Sequence, residues 1–229
     1  MPRIARGASL NGFFHVLNRG NQRQRLFRRR EDFVLFRYLL AQSVEKFPVE
    51  LWGYCLMSNH WHLVVSVRRI EDLSRWMHWL SNCHVRQFHC QNRTLGGGHL
   101  YQGRYKSFPV EDTPHLHTVL RYVEANPLRA RLVKQAQDWE WSSLAKPPTG
   151  KAAMLWPKLA RWPRDTRWQA AVNAPLEVTR LDLLRRSVIR GTPFGSAEWV
   201  QKSILESGLE STVRPRGRPR KLPLATASP

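Results

Sequence analysis

Residues 49–57 read VELWGYCLM, residues 58–59 are Ser-Asn, and residues 60–67 read HWHLVVSV. Two runs rich in β-branched and aromatic residues, split by a two-residue polar turn, predict a β-hairpin. The flanking segments say what the hairpin joins. GFFHVLNR at 12–19 predicts an earlier strand, and RGNQRQ a basic turn after it. Glu31–Phe47 repeats apolar side chains at helical spacing until Pro48 stops the run. Behind the hairpin, Glu71 to about Asn92 predicts a second amphipathic helix with TLGGGH as its exit. LYQGRYKSFPVE at 100–111 then predicts a fourth strand. Thr113–Asn126 predicts a third helix, bounded by Pro127, because a residue before proline is biased away from the α region. The order β-α-β-β-α-β plus one more helix is the α+β, ferredoxin-like split βαβ sandwich, an antiparallel sheet with helices on one face.

Past about residue 145 the composition changes. KPPTGK and LWPKLARWPRDTRW read as a linker or irregular arm. LEVTRLDLLRRSVIR and SAEWVQKSILESGL read as two short helices separated by GTPFG. The final VRPRGRPRKLPLATASP is too rich in charge and proline to pack. The expected organisation is a main domain over 1–145, a linker and small helical extension over 146–210, and a basic tail over 211–229.

The chain has 229 residues and a hydrophobic fraction of 42%, enough for a core. Its 37 Lys and Arg against 17 Asp and Glu give a formal charge of +20. Such an excess repels itself, and a polyanion relieves the repulsion while releasing counterions. Nucleic acid is therefore the expected partner. A membrane is not, since no apolar run approaches a spanning length. MPRIARGASLNGFFHV holds no secretory signal pattern, and three scattered cysteines make no disulfide framework, so the expected compartment is the cytoplasm.

His60 and His62 stand at i and i+2 of the predicted strand. Their imidazoles share one face, and Trp61 points to the other. Two imidazoles side by side can chelate a divalent metal. Alone, a His-x-His pair reads more readily as two polar positions on a half-exposed strand, and it needs a third partner to point to a metal. Tyr122 and Asn126, four apart on the third helix, share a face at its C-terminal end. A tyrosine hydroxyl can attack a phosphodiester, and an asparagine amide oxygen suits a hard cation such as Mg²⁺. Each also has an ordinary reading, as a core aromatic and as part of an Asn-Pro helix stop.

Four segments occur in order: GFFHVLNRGNQRQRLF, YCLMSNHWHLVV, HLYQGRYKSFPVE and RYVEANPLRARLV. Together they resemble the single-tyrosine HUH transposases, and among these the REP-associated tyrosine transposases. The resemblance covers roughly residues 1–145, and parts of the C-terminal region are similar as well. It implies an enzyme that nicks and joins single-stranded DNA at hairpins. His60 and His62 would bind the metal, Mg²⁺ or Mn²⁺. Tyr122, on the last, catalytic helix, would form a 5′-phosphotyrosine link and free a 3′-hydroxyl. Asn126 stands where the wider family more often has glutamine, and would be the third ligand. Members often dimerise, so a homodimer stays open. A catalytically idle DNA-binding regulator on the same scaffold is the alternative.

Other cations are candidates for DNA contact. Arg121, Arg129 and Arg131 flank the tyrosine, while Arg104 and Lys106 with Tyr105 resemble a single-strand platform on the fourth strand. Arg216, Arg218 and Arg220 lie in a tail segment resembling an AT-hook. His15 lies on the first strand, which in this fold neighbours the His60 strand; it could approach the site, but packing is the first expectation. His78, Cys83, His84, His89 and Cys90 crowd one helix, but their spacing fits no compact zinc motif.

Overall fold

The hairpin forms as two antiparallel strands whose pairing runs from Val49↔Val67 to Met57↔His60, with one register shift between Leu51 and Gly53. The computed structural model describes residues 12–146 and 162–214. In chain order the regular elements are β1 (Gly12–Arg19), α1 (Arg30–Lys46), β2 (Val49–Met57), β3 (His60–Val67), α2 (Ile70–Asn92), β4 (Lys106–Val110), α3 (His115–Glu124) and α4 (Asn126–Arg129). After the undescribed stretch come α5 (Thr166–Asn173), α6 (Val178–Arg190) and α7 (Ala197–Ser207). Strand order is β2-β3-β1-β4 and every pairing is antiparallel, which is the ferredoxin-like topology expected from the element order. Among the described residues no helix is long and apolar enough to cross a membrane.

The sheet carries helices on both faces, not on one. Phe14, Val16, Leu63 and Val65 pack under α1 and α2 with Phe36, Leu40, Trp76 and Leu80. Cys55, Val64, Phe108 and Val110 pack on the other face with Val119, Leu120 and Val123 of α3. The near-continuous burial of β2 and β3 is the cause: strands apolar on both sides need two covers. Gly53 lets α3 come close to β2, because a Cβ there would stand 2.7 Å from Leu120 Cδ2.

Three boundaries differ from the sequence reading. The fourth strand begins only at Lys106, leaving Arg104 and Tyr105 outside it. Upstream, Tyr101 turns into the core, where its Oη lies 2.6 Å from His84 Nδ1 and accepts from Trp61 Nε1 at 3.0 Å. The third helix ends at Glu124, and Asn126 opens the separate turn α4. Pro127 has no N–H to offer the Val123 carbonyl, so Asn126 Nδ2 donates to it at 3.2 Å. Finally, part of the expected irregular arm is helical: Asp165 caps α5 by accepting from the Trp168 backbone N–H at 2.9 Å.

The extension packs on the main body. Phe194 bridges Val110 in parallel, exchanging backbone hydrogen bonds with Pro109 and Glu111, and so covers the free edge of β4. Leu184 and Phe194 join the α3 layer of the core. Burying each stabilises the docking by roughly 2 kcal/mol. The exposed Arg180–Glu177 and Arg185–Asp182 pairs on α6 add far less.

Candidate active site

The period of β3 places His60 and His62 on the α3 side of the sheet, their ring centroids 5.1 Å apart and planes near perpendicular. Trp61 is buried on the other side. Each histidine has its Nδ1 engaged. His60 Nδ1 lies 2.7 Å from Asn59 Oδ1 in the hairpin turn, and His62 Nδ1 lies 2.8 Å from His15 Nε2. Both Nε2 atoms are thereby left for a further ligand, the arrangement in which metal-binding histidines are held by an outer partner. Burial pushes His60 down to about 4, with the Arg19 charge adding to it. His62 is held well below the ordinary histidine value by burial, then by His15, His60, Arg129 and Arg19. Neutral imidazoles are what a cation requires, so the pair fits a divalent metal.

His15 is fully buried, and burial followed by the Arg129 charge lowers it to about 3. It packs as expected but also bonds directly to His62. The signal was present: β1 and β3 are neighbours, and His15 shares the face of Leu17, which pairs with His62.

Tyr122 comes down from α3. Its ring centroid lies 6.1 Å from that of His62 and 6.2 Å from that of His15. Arg129 reaches back from α4, its Cζ 4.0 Å from the Tyr122 ring centroid and its Nη2 donating to the Tyr122 carbonyl at 2.6 Å. Burial draws the Arg129 guanidinium below its ordinary value, against the opposing pull of Tyr122. Asn126 Nδ2 is committed to the carbonyls of Tyr122 and Val123, leaving Oδ1 as its group for a cation.

The other candidate cations scatter. Arg121 Nη2 donates to the Ala174 carbonyl at 3.2 Å, so it ties α3 to the extension. Lys106 Nζ donates to the Ile189 carbonyl at 3.4 Å, in α6. Arg131 is exposed at positive φ just past α4. Arg104 is exposed and lines a cavity of about 830 Å³ beside α2, away from Tyr122. Arg216, Arg218 and Arg220 lie outside the described residues. Two cations that the sequence reading passed over act on the site: Arg19, opposite His60 across β1–β3, and Arg185 of α6, whose charge reaches Arg129. His84 on α2 turns into the core.

The sequence profile of the IS200-like transposases matches residues 9–126, about half of the chain and all five of His15, His60, His62, Tyr122 and Asn126. The chain belongs to the IS200-like transposase family. A REP-associated tyrosine transposase of Haemophilus influenzae strain Rd is 24% identical over 117 residues, spanning 47% of this chain and 66% of that protein. The chain thus covers just under two thirds of that relative's length. A solved structure of a REP-associated tyrosine transposase bound to a REP hairpin superposes with a TM-score of 0.47 at 19% identity, over 62% of this chain and 80% of the other.

Proposed function

We propose that this protein is a metal-dependent tyrosine transposase of the REP-associated kind, which nicks and rejoins single-stranded DNA at hairpins through Tyr122. One observation carries the reading: Tyr122 lies against His62, and His60 and His62 both have Nδ1 tied with Nε2 unengaged among the described residues.

In this mechanism the Tyr122 hydroxyl attacks the scissile phosphorus and a Tyr–O–P bond forms. The P–O3′ bond breaks, the phenolic proton is passed on, and the 3′ oxygen leaves as a hydroxyl. The reverse attack by a 3′-hydroxyl reseals the strand and needs no nucleotide, because the phosphotyrosine retains the energy of the broken diester. His60, His62 and the Asn126 Oδ1 would hold Mg²⁺ or Mn²⁺, which supplies charge neutralisation at the scissile phosphate. Arg129 fixes the Tyr122 ring and backbone and brings positive charge to where phosphate oxygens gather. Phosphoryl transfer depends chiefly on such positioning and charge.

The hairpin substrate is carried over from the relative whose structure holds one, and the charge of +20 supports a DNA partner. The work site would be the nucleoid in the cytoplasm. His60, His62 and Tyr122 come together within one chain, so a homodimer would not need to share them.

The test is to incubate the protein with labelled hairpin DNA from its own genomic neighbourhood and Mn²⁺ or Mg²⁺, then resolve the products under denaturing conditions. A covalent adduct that disappears in Tyr122→Phe and His60→Ala is expected. Tight binding without an adduct would favour the idle regulator instead, and cleavage that persists in Tyr122→Phe would point to a water-using nuclease.

A further inference from the structure

Glu124 stands two residues after Tyr122 and has no solvent exposure at all. Its carboxylate accepts three hydrogen bonds: from Ser143 Oγ at 2.5 Å, Arg164 Nε at 2.9 Å and Trp168 Nε1 at 2.7 Å. Two of these donors belong to the segment 162–174, beyond the undescribed stretch. Arg164 goes on to β2, where its Nη2 donates to the Trp52 carbonyl at 2.5 Å. The same segment accepts from Arg121 at Ala174 and from the Ala136 backbone N–H at Asn173 Oδ1. It therefore straps α3 to the sheet, with its charged contact on a single carboxylate beside the tyrosine.

Helical geometry gives this contact a consequence for the site. Residues two apart are about 200° apart around the axis, so Tyr122 and Glu124 look to opposite sides of α3. A rotation that freed Glu124 would swing Tyr122 off His62. A buried carboxylate left without its donors is strongly disfavoured, which makes that rotation costly while the strap is in place.

We infer that Glu124, Arg164 and Trp168 form a positioning network that fixes the rotation of α3 and so holds Tyr122 against His62. The inference rests on Tyr122 being the nucleophile. It makes the segment after the linker part of the catalytic apparatus, although none of the three side chains touches the reacting atoms.

The experiment compares full-length wild type with Arg164→Met, Arg164→Lys and Trp168→Phe. Three quantities are measured well below each variant's unfolding temperature: hairpin Kd, adduct-forming rate per DNA-binding-competent molecule, and the ¹³C-labelled ring signal of Tyr122, assigned with Tyr122→Phe. In Arg164→Met the rate is expected to fall about tenfold to 100-fold, as misplacement of a reacting group does, with Kd within about twofold. The Tyr122 signal should shift or broaden. Arg164→Lys should recover part of the rate, and Trp168→Phe, the mildest change, should lose about threefold through its one hydrogen bond. An unchanged rate and ring signal in both Arg164→Met and Trp168→Phe would overturn the inference. So would a loss of rate with an unmoved ring signal in the folded protein. If wild type forms no adduct, the nucleophile reading fails by itself, and the ring signal still decides whether the strap holds Tyr122.

Discussion

The Nε2 atom of His15 lies 2.8 Å from the Nδ1 atom of His62, joining the centre of β1 to the metal-ligand candidate on β3. This contact fixes which nitrogen of His62 faces the site. It also places a second buried, neutral imidazole directly behind the first.

The contact predicts that His15→Ala weakens divalent metal binding by about 10- to 100-fold, the usual cost of losing an outer partner of a histidine ligand. Titration with Mn²⁺ in the absence of DNA measures this. Saturating Mn²⁺ should then restore adduct formation, and His15→Gln should retain part of the affinity. Equal Mn²⁺ affinity in wild type and His15→Ala would show that His15 only fills space.

Arg129 makes two contacts with one residue, over the Tyr122 ring and to its carbonyl. Arg129→Met should slow adduct formation by about tenfold or more, through loss of a charge and a charge-assisted hydrogen bond. Arg129→Lys should recover little, since an ammonium cannot stack on the ring and reach the carbonyl in the same way. Single-turnover rates at saturating DNA give the answer, and full activity in the lysine variant would contradict the geometry.

His84 gives a pH dependence separate from the active site. Burial lowers it to about 3 among Phe27, Phe36 and Tyr101, with Asp32 opposing. Between pH 6.5 and 3 the unfolded chain binds a proton at this position and the folded chain does not. Stability is therefore whole above pH 6.5 and falls as the pH drops, by roughly 2 kcal/mol from this group at pH 5. Urea unfolding with chelator present at pH 7 and pH 5 measures the slope. His84→Gln should flatten it by close to one proton, and parallel slopes would count against the assignment.

Gly53→Ala should destabilise the protein by about 1–3 kcal/mol, as overpacking does. The added methyl would meet Leu120 Cδ2 at 2.7 Å and Ser143 Oγ at 3.3 Å. Relief comes from Leu120 turning its side chain within the packed layer or from α3 backing away from β2, and in the second case activity falls as well. Thermal unfolding and adduct assays on the same sample test both halves, and an unaltered Tm would mean that Leu120 or α3 yields freely.

Much of this was open to reading along the chain. The strand and helix periods of residues 12–126 set the element order, and that order with antiparallel pairing yields β2-β3-β1-β4. The His60–His62 pair needed only the two-residue repeat of a strand. Tyr122 and Asn126 were legible as residues, but the helix break between them was set by Pro127 and the carbonyl it leaves unserved. The second helical layer could have been read from the continuous apolar character of HWHLVVSV, which a sheet with one wet face does not need.

By itself, then, the sequence determined which elements form and which side chains share a face, because those depend on repeats of two and 3.6 residues within one segment. Only the tertiary structure decided that His15 bonds to His62, that Arg129 folds back over Tyr122, and that Arg164 and Trp168 reach Glu124 from 40 and 44 residues away. Those partners meet through strand register and helix rotation, which are fixed by packing between segments and leave no period in the chain.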